Sequence, residues 1–434
     1  MKKVISIMLV LAMILLTLVG CGNNDKTGTK DGNNTNETKN ITLKWAVWDI
    51  TLTTYYQPLI DAYEAAHDNV TIEMVDLGSA DYSTVLATEL TGNDSDFDIA
   101  TIKDMPGYAT LVGKNALEPL DTYIDKAKID LAAYGGIAEQ ITIKDKLYSL
   151  PFRSDFWVLY YNKDIFDAAG VDYPTNDMTF EQYDALARSV TDTTLGSQIY
   201  GAHYHIWRSA VQLFGVLDGK NTIVGGKYEF LKPYYELILA EQKDQVTQDY
   251  ATLKTSTLHY SGAFAQGNIA MMNMGSWFIP TLIDKIKTGE YSDIKNWGIV
   301  KYPHAEGVEP GTTVGTITAL AVTAASKQKD VAFDFLAYVC GTDGAEVVAS
   351  TGTIPAIKTE AVVTAITGLD GFPQDETSAD ALITAKTYLE MPVHEFSSEI
   401  ETILNTAHDN IMSGNSTIDE GIAYMNTEVQ KLLK

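Results

Sequence analysis

Cysteine is nearly absent from this chain: there are two in 434 residues, Cys21 and Cys340. Cys21 closes an N-terminal apolar run. Cys340 falls in the helical pattern Ala332, Phe335, Leu336, Val339, Cys340, which reads as buried core. No disulfide framework within one chain follows from such a pair. An excess of positive charge is missing too, since 31 Lys and Arg stand against 57 Asp and Glu for a net charge of −26. That balance opposes nucleic acid and anionic lipid by charge alone and favours solubility. The sequence has no Gly-x-Ser-x-Gly elbow, no His-Glu-x-x-His pair, no Walker loop and no internal repeat; the motifs are signatures of common hydrolases and nucleotide binders. His203-Tyr-His205 sets two imidazoles on one face of a strand, but no cysteine or third histidine lies nearby. No metal site is expected, and nothing implies a cofactor.

The N-terminus carries the first positive signal. Lys2 and Lys3 precede an uncharged run from Val4 to Val19, which ends in Leu18-Val19-Gly20-Cys21. This is the layout of a secretory signal peptide, and the tetrad resembles the lipobox of bacterial lipoproteins, in which the cysteine is acylated. Residues 1–20 are then a signal peptide and Cys21 the lipidation site, each buried CH₂ of its chains contributing roughly 0.8 kcal/mol of membrane affinity. An uncleaved membrane anchor is the alternative, because the run is almost long enough to span. Gly22 to Asn40 reads GNNDKTGTKDGNNTNETKN, without a large apolar side chain. Such a segment cannot offset its ordering entropy, so residues 21–40 are expected to be a disordered, flexible tether.

Folding is expected from Ile41. The remaining chain is longer than one core usually organises, so two lobes are expected. Ile41, Leu43, Trp45 and Val47 alternate as a strand. Tyr56, Leu59, Ile60, Tyr63 and Ala66 recur at helical spacing, and Val70, Ile72 and Met74 alternate again. A helix over about Tyr82–Leu90 and a strand over Phe97–Ile102 complete a β-α-β-α-β order, which predicts a parallel sheet with helices on both faces. Ligands of such sheets bind beyond the carboxyl ends of the strands. That geometry selects Trp48 and Asp49, Asp81 and Tyr82, and Lys103 and Asp104 as site candidates. Phe156–Tyr161 reads as a central strand, with Arg153 just ahead of it a further site candidate by the same geometry, Gly170 ends the next helix, and Thr179-Phe-Glu-Gln182 is a capping box. The tail from about Ala379 reads as helical, with a break at Gly414-Asn415-Ser416.

Pro151 followed by Tyr161-Asn-Lys-Asp164, Gly170 and Thr179-Phe-Glu-Gln182 resembles the first crossover of bacterial extracellular solute-binding proteins. These are the receptors of ABC importers, and the sugar and oligosaccharide class is the nearest likeness. Phe264–Trp277, with its Gly-polar, Ala-Met and Gly-Ser-Trp elements, is similar to a further signature of that family. Val314–Ser326 and the helix over Val331–Val339 resemble its second crossover. The resemblance implies a two-lobed α/β fold of the periplasmic-binding-protein type (class II), with a cleft and about three crossing segments. Lobe 1 is expected over about 41–153 plus 314–366, and lobe 2 over about 154–313 plus 367–434. It implies Asp49 and Asp155 as cleft carboxylates, Trp277 as a sugar-stacking ring, Trp207 and Arg208 as a further contact of lobe 2, and Phe396 near another aromatic position. Each has a plainer alternative: core filling for Trp277, a helix cap or solvated charge for the aspartates, and a structural ion pair across the hinge for Arg153.

Such residues suit a pyranose, whose apolar face stacks on indole or phenol while its hydroxyls donate to carboxylates. The expected function is a membrane-tethered receptor of an ABC importer, not an enzyme, acting as a monomer at the outer face of the membrane. Its partners are a carbohydrate, the permease subunits and, through the lipid, the membrane; nucleic acid is not among them. A secreted carbohydrate-active hydrolase uses the same residue types, and receptors for non-sugar solutes share the family signature.

Overall fold

The computed structural model describes residues 40–434 apart from 52, 79–80, 93–94 and 195–197. The signal, the tether through residue 39 and Cys21 lie outside the described residues. Nine strands are seen among the described residues: β1 (Ile41–Val47), β2 (Val70–Asp76), β3 (Ile99–Ile102), β4 (Leu150–Asn162), β5 (Tyr200–His203), β6 (Ile269–Gly275), β7 (Trp297–Lys301), β8 (Thr312–Val322) and β9 (Lys386–Leu389).

The alternation in β1 buries Leu43, Trp45 and Val47 while Thr42 faces solvent. Trp45 satisfies its one polar atom by donating Nε1–H to Thr101 Oγ1 at 2.8 Å. Its ring meets Tyr56 and Phe335 edge to face, at 5.2 and 5.3 Å. β1 pairs in parallel with β2 and β3, as the β-α-β-α-β order requires. The parallel reading stops there, because β8 joins β3 antiparallel. Among the helices, Lys163–Ala169 ends at Gly170 in the left-handed region, φ 65°. Phe180–Val190 carries the capping box complete: Gln182 N–H donates to Thr179 Oγ1 at 3.3 Å and Thr179 N–H to Gln182 Oε1 at 2.8 Å.

The sheet runs β2-β1-β3-β8-β4-β6-β5, with β7 also on β4 and β9 also on β8. β4 is the joining element. Its first half, Leu150–Phe156, pairs with β8, and from Trp157 onward it pairs with β6 and β7. Its apolar run is buried on both faces, which is why it reads as unbroken hydrophobic sequence. Phe156, Val158 and Tyr160 enter one core, continuous with the residues of β1 and β3. Trp157, Leu159 and Tyr161 enter the other, with the helix Ser397–Met412.

The tail departs from its sequence reading. Residues 386–389 form β9, parallel to Thr312–Gly315 of β8, and only then come Ser397–Met412 and Ile418–Leu432. A four-residue strand with a distant partner has too short a pattern to register as a period. The break at Gly414 holds, at φ 74°.

Candidate functional site

The residues following β1 and β3 form one group. Asp49 adopts φ 51°, a left-handed conformation that aspartate tolerates better than most residues. The turn is held by Asp76, whose carboxylate accepts from Gly78 N–H at 2.8 Å and Ile50 N–H at 3.1 Å. The Gly78 bond, with those from Ile50 and Asp49, keeps Asp76 below the usual carboxylate range. Trp48 lies edge-on to Tyr82, centroids 4.8 Å apart, and the Lys103 ammonium stands 5.3 Å from its ring centre. Burial draws Lys103 down, opposed by the charges of Asp104 and Asp49. Asp104 caps the helix Met105–Gly113 by accepting Gly107 N–H at 2.6 Å, and it also accepts the Ser83 hydroxyl at 2.6 Å.

Two candidates from strand-end geometry fall elsewhere. Tyr82 is core: it is 1% exposed, and its hydroxyl lies 3.0 and 2.9 Å from the carbonyls of Ala46 and Thr101. It supports Trp48 from beneath and has no polar atom to offer a ligand. Asp81 is exposed ahead of the helix Tyr82–Thr91 and makes no capping bond with its side chain.

β4 carries the centre of the second group. Arg153 and Asp155, two apart on a strand, share a face and form an ion pair at 3.3 Å, with side chains 12% and 4% exposed. Arg153 also donates to Thr318 Oγ1 at 3.1 Å, lies 5.2 Å from the Tyr55 ring centre, and keeps a buried Nε–H without a partner. The ion pair expected as the plainer alternative for Arg153 is therefore present. Asp155 accepts the Ser276 hydroxyl at 2.9 Å. Burial pushes the Asp155 carboxyl up, while Arg153, Ser276 and Lys358 pull it back. A guanidinium does not shed its proton in a protein, so Arg153 stays charged.

Beside Ser276, Trp277 is half-buried and packs against both cores. It meets Trp157 edge to face at 5.9 Å and Trp207 at 6.4 Å. Gly275 is required here, because a Cβ at that position would fall 2.0 Å from the Trp277 ring. Trp207 is 38% exposed and its ring is flanked by His205 at 4.5 Å and Tyr260 at 5.6 Å. The His203-Tyr-His205 pair is thus absorbed by packing: His203 bonds Gln248 at 2.9 Å, and His205 backs Trp207.

Arg208 faces away from solvent, 2% exposed, and donates Nε–H to Glu401 at 2.9 Å, its second bond to that carboxylate being shorter still. Glu390, accepting from Trp157 Nε1 at 3.2 Å, is raised by burial against the pull of Arg208. These three line a cavity of about 550 Å³ together with Lys103, Asp104 and Thr316. Asp155 and Trp277 are not on its wall; Trp277 connects to it through Trp157, which touches both Trp277 and Glu390. Phe396 is half-buried on the second core, just before the helix Ser397–Met412, and is not on that wall either.

The structure therefore joins Trp48, Asp49 and Asp104 through Lys103, joins Arg153, Asp155 and Trp277 through Ser276, and places Trp207 beside Trp277. Sequence reasoning missed Tyr55, Ser276, Glu390 and Glu401. Only Ser276, inside the Gly-Ser-Trp element, stood within a motif. Among the described residues no group of three or more His, Cys, Asp or Glu is placed to hold a metal ion.

Known proteins resemble this chain in sequence and fold. The family model described as bacterial extracellular solute-binding protein matches residues 49–346. A sugar transporter of Rhizobium etli, solved in an open conformation, is 53% identical with a TM-score of 0.82, over 90% of this chain and 99% of that one. An ABC substrate-binding protein of Listeria monocytogenes in complex with cycloalternan is 20% identical with a TM-score of 0.77, over 91% and 99% of the two chains. The lactose-binding protein of Rhizobium radiobacter is 24% identical over 65% of this chain, which spans 66% of that relative. The fold is accordingly the mixed α/β, two-lobed one of the maltose-binding type. The chain belongs to the family of bacterial extracellular solute-binding proteins, which are receptors and not enzymes.

Proposed function

We propose that this chain is a lipid-anchored receptor of an ABC importer. It binds a sugar or oligosaccharide between two lobes and delivers it to the permease subunits on closing. The observation that carries the reading is the juxtaposition at Ser276-Trp277: a buried carboxylate fixed by Arg153 and Ser276, beside a half-buried indole that continues into the exposed Trp207. Charge-assisted acceptors next to ring faces are what a pyranose requires. Likeness to a sugar transporter and to a lactose-binding protein supports the same class.

The lobes run over about 41–153 plus 314–366 and 154–313 plus 367–434. Ion pairs of the late segment support its place in the second: Asp375 to Lys163 at 2.6 Å and Asp380 to Lys301 at 2.8 Å. Ligand contacts fall to Trp48, Asp49 and Asp104 from the first lobe and to Asp155, Trp207, Arg208 and Trp277 from the second. A ligand that touches both lobes shifts an open–closed equilibrium by its differential affinity for the closed form.

A panel of oligosaccharides tests this. At least one is expected to raise the melting temperature by mass action, to be recovered uncut, and to reduce the radius of gyration in X-ray scattering. No sugar bound would sink the substrate class, and superimposable scattering curves with a bound sugar would sink the clamp. For the anchor, Cys21→Ala is expected to move the protein from the membrane fraction to the soluble pool. Unchanged membrane association would mean that the apolar run itself holds the chain.

A further inference from the structure

Strand alternation sends successive residues of β4 and β8 to opposite faces. Asp155 and its register partner Thr316 take the face of the site described above. Ser154 and its partner Ile317 take the other and line a second cavity of about 480 Å³, which shares Gly315, Ile317 and Leu389 with the wall of the first. Gln140, Lys358, Lys386 and Thr387 complete the part of its wall that matters here. In a chain of net charge −26, no carboxylate lines this cavity, and its two charged lining residues are lysines.

Neither lysine makes an ion pair among the described residues. The Lys358 ammonium stands 4.4 Å from the Phe156 ring centre and that of Lys386 4.6 Å from the Tyr388 ring centre. The protein walls draw Lys358 downward, with Asp155 opposing from the other face, although its exposure to cavity water moderates that pull. The hydroxyls of Ser154 and Thr387 supply donors beside this charge. A carboxylate-free recess holding an unpaired ammonium and uncharged donors suits an oxyanion.

We propose that this cavity is a second ligand site, taking a small oxyanion of the phosphate class, held by Lys358 and hydroxyl donors. The site stands apart from the sugar reading; its consequence for transport rests on it. Its occupant touches Ser154 and Ile317, whose chain neighbours Asp155 and Thr316 face the substrate side. Gly315, Ile317 and Leu389 line both cavities, so an ion held in the second orders a wall of the first in advance of the sugar. By linkage it raises sugar affinity, and sugar raises its affinity equally.

Calorimetric titration with inorganic phosphate at constant ionic strength reads the site. One saturable event is expected, weakened about tenfold or more in Lys358→Met, the loss of one charged hydrogen-bond donor, and kept in Lys358→Arg. Melting temperatures of both variants confirm that they fold. No saturable phosphate binding, or equal binding in Lys358→Met, overturns the site. Titration of an oligosaccharide from the panel, with and without saturating phosphate, reads the coupling: tighter sugar binding supports it, and equal or weaker binding overturns it. Were no sugar to bind at all, the receptor reading would fail while the phosphate titration still decided the site.

Discussion

Trp48, after β1, was selected from strand-end geometry and Trp207, after β5, from the family resemblance, and the two are set in opposite ways. Trp48 is 9% exposed, wedged against Tyr82 with Lys103 over its ring. Trp207 is 38% exposed, backed by His205 and leading into Trp277. The β1–β3 group therefore presents charge, through Asp49, Lys103 and Asp104, while the β5–β6 group presents ring surface with one carboxylate at its base. An aromatic side chain at a strand end is not yet a stacking platform. What decides is whether its polar atoms and faces are already spent on the protein, as those of Tyr82 are.

The largest effect is expected at the carboxylate beneath the rings. Asp155→Asn keeps the shape and an acceptor for Ser276 but leaves Arg153 a buried, unpaired cation, and breaking such a pair costs about 3–5 kcal/mol. Both the melting temperature and sugar affinity are expected to fall sharply. A fall in stability with sugar affinity intact would make the carboxylate structural and hand recognition to the rings alone. Next comes Trp277→Ala, for which a loss of about 2 kcal/mol in binding is expected, as for a well-packed anchor. Because the ring packs on both cores, stability is expected to drop as well. Affinity measured well below the melting transition separates the two, and unchanged affinity there would dissolve the contrast between a charged wall and an aromatic one.

Much of this was legible where the signal is local. The β1–β3 strands, the Thr179 capping box, the Gly170 stop and the buried Cys340 all follow from spacing or from one side chain bonding a few residues away. Asp155 and Trp277 were legible because motif positions fix them to β4 and to the turn after β6. What stayed hidden is non-local. Glu390 and Glu401 are ordinary acidic residues until Arg208, distant in sequence, is folded against them. Tyr82 was picked because strand-end geometry brings the helix start near the strand ends without telling where its hydroxyl goes. β9 depends wholly on a partner strand that its own four residues do not announce.

A smaller, pH-dependent effect sharpens the aromatic side of the comparison. Burial holds His205 down to about 3, with His203, His259 and Lys254 adding to it, and His203 down to about 4 against the bond it donates to Gln248. The unfolded chain titrates these rings at about 6.5. Between those values the unfolded state binds more protons, so stability rises with pH there. It is fully present above about 6.5 and is lost as pH falls toward 4. His205→Phe keeps a ring against Trp207 and removes one titrating group, so the acid side of a plot of melting temperature against pH is expected to flatten. An unchanged slope would show that carboxylates, not the ring backing Trp207, set the acid sensitivity of this wall.

The smallest effect is expected at Asp81. The residue is exposed, stands at the start of the helix Tyr82–Thr91, and makes neither a capping bond nor an ion pair with its side chain among the described residues. An anion near a helix N-terminus contributes about 0.3–1 kcal/mol through the helix dipole at low ionic strength, and salt screens it. Asp81→Ala is therefore expected to lower the melting temperature slightly, and less so in added salt. Sugar affinity should stay level, because the proposed site carboxylates are Asp104 and Asp155, which are bonded to neighbouring side chains while Asp81, among the described residues, is not. A loss of affinity comparable to that of Trp277→Ala would extend the charged wall to the start of this helix. Trp48 would then lie inside the site floor and no longer at its edge.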